Sequence, residues 1–196
     1  MTLPPAEWRS FYGLAIAACW LAFVAVFGVG ALTASRAKRV EPVSSRAVHM
    51  GLSALGALLL TPWGAAIPGN APLAEPGVGR GICAVATTAV GVGFTLWARI
   101  SLGRHWSGRV TLKEGHELIQ SGPYRLARHP IYTGITTAIT GVALLEARPG
   151  GVVAVLSFLA AFLWKIRAEE RLMTETFGDA YRAYKQRVKA LIPFIL

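Results

Sequence analysis

Two stretches of this chain concentrate side chains able to do chemistry. Residues 101–132 read SLGRHWSGRVTLKEGHELIQSGPYRLARHPIY, and residues 165–184 read KIRAEERLMTETFGDAYRAY. In the first, Pro130 suits the opening turn of a helix, which puts Arg128 and His129 at its N-terminus. Free backbone N–H groups and the helix dipole there favour an anionic group such as a carboxylate. Arg109 to Leu112 and His116 to Ile119 read as short strands around the turn Lys113-Glu114-Gly115. In the second stretch, the neighbours Glu169 and Glu170 leave a helix in different directions. One can face solvent or an arginine while the other faces inward. Taken singly, each stretch has a plainer meaning. Arg125 and Arg128 read as interfacial anchors and His129 as a cap. Met173, Phe177, Tyr181, Tyr184, Val188 and Leu191, spaced by four and three, read as an amphipathic helix on the headgroups, interrupted at Gly178 and ended by Pro193. No spacing supports a metal site from His105, His116 and His129 with Glu169. Neither a phosphate-binding glycine loop nor a nucleophile elbow is present.

The elements that must hold these residues are membrane helices. Of 196 residues, 54% are hydrophobic and only 15% charged, against about a quarter charged in a soluble domain. Phe11 to Leu32 carries no charge and is long enough to cross a hydrocarbon core. It is too long for a signal-peptide core and no basic region precedes it, so it reads as a retained helix. Val48 to Ile67 and Gly81 to Ala98 give two more spans. Ile131 to Leu145 and Gly150 to Trp164 form a hairpin packed against them. The expected fold is thus all-α and membrane-embedded, with five transmembrane helices, three of them within residues 1–100 and a functional core over 101–196. Ser35–Arg46, Arg99–His129 and the tail from Lys165 hold 4, 6 and 7 of the 20 Lys and Arg. The positive-inside rule then puts the N-terminus outside and the C-terminus in the cytoplasm. The +10 net charge is accounted for by topology and anionic lipid, with no nucleic-acid partner implied. Cys19 and Cys83, each in an apolar run, offer no disulfide framework.

Read together, the two stretches resemble the isoprenylcysteine carboxyl methyltransferase family of integral membrane enzymes. The matching residues are His116-Glu117-Leu118-Ile119, Gly122-Pro123-Tyr124, and Arg128-His129-Pro130-Ile131-Tyr132 with Gly134. After a hairpin come Glu169-Glu170, Phe177-Gly178, Tyr181, Tyr184 and Ile192-Pro193-Phe194-Ile195. The resemblance implies S-adenosyl-L-methionine as cofactor, held at the cytoplasmic face by Arg109, His116, Glu117, Leu118, Ile119, Tyr124, His129, Pro130, Ile131, Tyr132 and Glu169. It implies a lipophilic or lipidated acceptor reaching the site sideways from the bilayer, with Lys165, Arg167 and Arg128 positioning it. Lys165 stands where eukaryotic members tend to have an arginine, and a lysine lacks the planar two-point grip of a guanidinium. The Ala/Gly/Arg-rich style looks bacterial, which points to a bacterial cytoplasmic membrane. The rivals are a phospholipid N-methyltransferase, an NADPH-dependent sterol-reductase-like enzyme, against which the Glu-Glu pair argues, and a non-enzymatic membrane scaffold.

Overall fold

The computed structural model describes residues 5–32, 37–40, 43–75, 77–103, 111–113 and 118–192. Helices occupy all five apolar runs: α1 (Pro5–Leu32), α2 (Val43–Leu59), α4 (Val78–Leu102), α5 (Pro130–Glu146) and α6 (Pro149–Phe177). Ser10–Gly30, Val78–Leu102 and Pro149–Phe177 are long and apolar enough to cross a membrane, while the apolar part of α2, Arg46–Leu59, is shorter. The expected span to Ile67 breaks at Leu59. Thr61 precedes Pro62 and is pushed to extended backbone (φ −90°, ψ 168°), because the proline ring disfavours helical geometry in the residue before it. A one-turn helix, α3 (Pro62–Ala65), starts there instead, with Thr61 as its cap.

α4 lies along α5, the most extensive helix–helix contact, and small residues make it possible. Gly91, Gly134 and Gly141 stand where a Cβ would run into the facing helix. Close approach lets the buried Thr88 hydroxyl reach both Ala84 O in its own helix (2.9 Å) and Ala138 O in α5 (3.3 Å). Thr95 does the same with Gly91 O and Ile131 O. Without a hydrophobic drive between helices in lipid, such contacts hold a pair together. α2 packs on α6, and α1 on α4.

The two ends of the bundle differ. At one end Asn70, buried, ties the 60–77 connection to the α5–α6 corner by accepting from Gly150 N (2.6 Å) and donating to Gly64 O (2.8 Å). At the other end β1 (Ala37–Val40) pairs antiparallel with β2 (Thr111–Lys113), Arg39 opposite Leu112. This corrects the expected hairpin over 109–119: the partner of β2 is the connection between α1 and α2, and Leu118 and Ile119 are not in a strand. The ribbon also qualifies the all-α expectation. It joins two of the three basic segments at one end.

Beyond the apolar part, α6 does not stop near Trp164 but runs as one helix to Phe177. Gly178, at φ +52°, makes the elbow into α7 (Asp179–Arg187), a backbone angle that a side chain would strain. The expected amphipathic helix from Met173 to Leu191 is therefore the end of α6 plus α7, which stops at Arg187.

Candidate active site

The start of α5 meets the far end of α6 and the segment following α7. His129 caps α5 with Pro130 in the first turn. Most of the N–H groups expected to be free there are taken: Arg128 N donates to Lys189 O (2.8 Å), His129 N to Ala190 O (2.9 Å), Tyr132 N to His129 O (3.0 Å), and Pro130 has none. Thr133 Oγ1 adds a bond to Leu191 O (2.7 Å). The anions answering the positive end of α5 are instead the protein's own Glu169 and Glu170.

The two carboxylates divide as their adjacency requires. Glu170 accepts from Arg128 Nε (2.8 Å) and Nη2 (2.5 Å) and lies 2.7 Å from Lys185 Nζ. Arg128 Nη1 also donates to the carbonyls of Val188 and Lys185. Glu169 accepts from the Tyr132 hydroxyl (2.5 Å). His129 stands between them, Nδ1 3.3 Å from Glu169 and Nε2 3.4 Å from Glu170. Burial alone would lower the affinity of this ring for a proton. The two flanking carboxylates outweigh burial and hold its pKa above the ordinary histidine value. An acceptor beside each nitrogen favours the protonated form of the ring.

From this cluster an aromatic row runs toward the apolar part of the bundle. His129 stacks with Tyr132 at 5.8 Å between centroids, Tyr132 with Phe162 at 4.8 Å, and His49 of α2 lies 6.2 Å from Phe162. Lys165 Nζ sits 5.5 Å over the Tyr132 ring. Phe162, Lys165 and Glu169 are three and four residues apart, so they share one face of α6. Arg167 is on the other side, in an open groove of α6 and α7. The structure thus separates Lys165 from Arg167.

Of the other expected site residues, Tyr124 is a strut. It is buried, its hydroxyl is 3.5 Å from Ala98 O, and its own carbonyl accepts from Tyr184 OH (2.6 Å). Burial pushes the Tyr184 hydroxyl up to about 12, against the opposing pull of Arg128 and Arg187. Pro130 is fully buried, and Leu118, Ile119 and Ile131 are half-buried. Arg109, His116 and Glu117 lie outside the described residues, as does His105 of the weighed metal site. No group of three His, Cys, Asp or Glu fit for a metal occurs among the described residues. Sequence reasoning missed Phe162, which the spacing of seven to Glu169 could have signalled, and Lys185, for which no sequence signal exists.

A family described as phospholipid methyltransferase matches residues 80–180, about half of the chain and the part containing most of α4, all of α5 and α6, and Arg128, His129, Glu169 and Glu170. The chain belongs to the phospholipid methyltransferase family. Among its relatives, a probable protein-S-isoprenylcysteine O-methyltransferase of Oryza sativa subsp. indica is 35% identical over 101 residues, 50% of this chain and 53% of that protein. Methanethiol S-methyltransferase 1 of Bradyrhizobium diazoefficiens is 40% identical over 72 residues, 36% of this chain and 24% of that protein. The chain spans about half the length, or less, of these relatives. A eukaryotic intramembrane Ras methyltransferase, isoprenylcysteine carboxyl methyltransferase, aligns over 95% of this chain and 53% of that one, with a TM-score of 0.49 and 21% identity. The resemblance read from the motifs is borne out by the family match and by the isoprenylcysteine O-methyltransferase relative. The phospholipid methyltransferase match starts inside α4, so α1 and α2 stand outside it.

Proposed function

We propose that this chain transfers a methyl group from S-adenosyl-L-methionine to a lipophilic acceptor at the membrane surface, with carboxyl O-methylation of an isoprenylcysteine-like acid as the reaction. The observation that carries the reading is the shared face of α6: Glu169 in the ion cluster, Lys165 above Tyr132, and Phe162 continuing into the apolar bundle. Polar binding chemistry and an apolar approach meet within two helical turns.

The donor set fits the cofactor. A carboxylate, Glu169, suits ribose hydroxyls; His129, with a nitrogen toward each of Glu169 and Glu170, would orient that carboxylate for them; and Leu118, Ile119 and Ile131 supply apolar surface for a base. Arg109, His116 and Glu117 join them through the family resemblance, and Pro130 and Tyr124 hold the backbone that carries His129. When bound, S-adenosylmethionine supplies a methyl carbon made electrophilic by its sulfonium. Lys165 would pair the acceptor's carboxylate and hold it in line. A carboxylic acid is already ionised at neutral pH, so no general base is needed. Tyr132 and Phe162 would exclude water. Arg128, whose donors hold Glu170 and the carbonyls of Lys185 and Val188, would act as a positioning residue for His129. The basic end of the bundle, which carries this cluster, is assigned to the cytoplasm by its Lys and Arg.

The alternative named by the family, methylation of a phospholipid amine, fits less well, because a fixed Lys165 cation repels an ammonium head. The test is calorimetric titration of the detergent-solubilised protein with S-adenosylhomocysteine and, in parallel, NADPH. Saturable binding of the first, lost in Glu169→Ala and His129→Ala, is expected. A well-folded protein binding only NADPH would move it to the reductases, and binding of neither would leave the scaffold reading. Labelled methyl recovered as a base-labile ester supports the acid acceptor; a base-stable methylamine refutes it.

A further inference from the structure

The outer side of α6 carries two arginines, Arg167 and Arg171, that the methyl-transfer reading does not use. Between α6 and α7 lies an open groove of about 470 Å³ whose lining includes Arg167, Arg171, Arg182 and Lys185 with Glu170 and Glu175. At about 100° per residue, Arg167 and Arg171 point away from Phe162, Lys165 and Glu169 by close to half a turn. The groove is therefore not another view of the reaction face. Glu170 is already answered by Arg128, Lys185 and His129, and Arg182 by Asp179 at 2.5 Å. Arg167 and Arg171, both exposed, have no hydrogen-bond or ion-pair partner among the described residues. Two guanidiniums four residues apart on one helix face repel each other. An anion between them would turn that cost into attraction.

The depth of the groove says where such an anion comes to hand. The exposed, apolar side of α6 includes Val152, Val153 and Leu156, and Trp164, 40% exposed, lies at the end of this stretch. Tryptophan is favoured at the level where hydrocarbon gives way to headgroups. Arg167 and Arg171 lie about 5 and 10 Å farther along the helix, at the level of lipid phosphates. A guanidinium pair is suited to phosphate oxygens in a two-point grip.

We infer that the α6–α7 groove is a binding site for a phosphate-bearing anion at headgroup depth, separate from the reaction face. The inference stands independently of the proposed methyl transfer. Its ligand is either the phosphodiester of an anionic lipid or free phosphate, and the probes distinguish them.

The experiment is native mass spectrometry of the full chain in detergent, titrated with dihexanoyl-phosphatidylglycerol, dihexanoyl-phosphatidylcholine or inorganic phosphate. One phosphatidylglycerol or one phosphate per chain is expected to bind saturably and more tightly than phosphatidylcholine. Preference for the lipid over phosphate assigns a headgroup site, and the reverse a soluble-phosphate site. Arg167→Gln with Arg171→Gln is expected to weaken that binding about 20- to 30-fold, the product of two surface cations. Arg125→Gln with Lys189→Gln, which removes the same charge elsewhere on this end, is expected to change it less than about threefold. Arg167→Lys with Arg171→Lys keeps the charge but not the two-point grip, so it should bind between the parent and the glutamine pair, and it serves as the charge-preserving folded control. Equal weakening by the two glutamine pairs, or no saturable binding in the folded parent protein, overturns the inference.

Discussion

Glu170→Ala isolates the contribution of the ion cluster to stability. Its carboxylate and the Arg128 guanidinium are 12% and 9% exposed, so solvent screens them little. Removing one partner of such a pair leaves a buried charge uncompensated, at a cost of about 3–5 kcal/mol. The lower end applies here, because Arg128 Nη1 keeps the carbonyls of Lys185 and Val188. For a chain of this length about 3 kcal/mol corresponds to roughly 6–12 °C in melting temperature. The assay is tryptophan fluorescence during heating of the detergent-solubilised protein, with limited proteolysis of residues 178–192 at 25 °C as a second readout. Arg128→Met alone and with Glu170→Ala completes a cycle, and the double variant should melt well above the sum of the two losses, with a coupling of about 1–3 kcal/mol. A Glu170→Ala protein that melts within about 2 °C of the parent, by the same conversion, and keeps α7 protected would refute the reasoning.

Three other outcomes follow from the geometry. His129 has a raised folded pKa, so its stabilisation is complete below its ordinary value of about 6.5 and disappears as pH rises through the folded value; the melting difference between parent and His129→Gln should shrink from about pH 6 to pH 9, and a difference that grows would be the wrong sign. Gly134→Ala puts a methyl group against Thr95 and the α4 backbone, and should cost about 1–3 kcal/mol by thermal melting; a neutral result would mean that α4 and α5 are not so close. Lys165→Ala should raise the KM for a carboxylate acceptor with cofactor affinity unchanged, while Arg167→Ala leaves both kinetic parameters alone; equal losses in the two would contradict their placement on opposite sides of α6.

The helices were legible because apolar runs and charge segregation are local signals. So was the division of labour between Glu169 and Glu170, since adjacent residues on a helix diverge. Three features were not legible, each for a physical reason. The end of α2 follows from backbone sterics at Thr61-Pro62 within a run that hydropathy alone reads through to Ile67. The partner of β2 is some seventy residues away in β1, and short strands carry no signal that names a distant partner. At the start of α5 the sequence shows where N–H groups become available, but not that the carbonyls of Lys189 and Ala190 return to take them. Phe162 belongs to a middle class: its helical spacing to Lys165 and Glu169 is visible, yet an aromatic residue in an apolar span has too many ordinary explanations to stand out.

The return of the chain to α5 also has a meaning in time. A polypeptide emerges from its N-terminus, and α4 can meet α5 as soon as Glu146 has been made. The N–H groups of Arg128 and His129 wait for residues 189 and 190, more than forty positions later. A chain interrupted before that point would carry a finished bundle with Arg128, His129 and the α6 carboxylates already facing one another, but with the N–H groups of Arg128 and His129 still without their carbonyls. Translation therefore delivers the scaffold and its charge pairs first and the backbone seal last, and an abandoned product differs from a complete one by two open N–H groups at the start of α5.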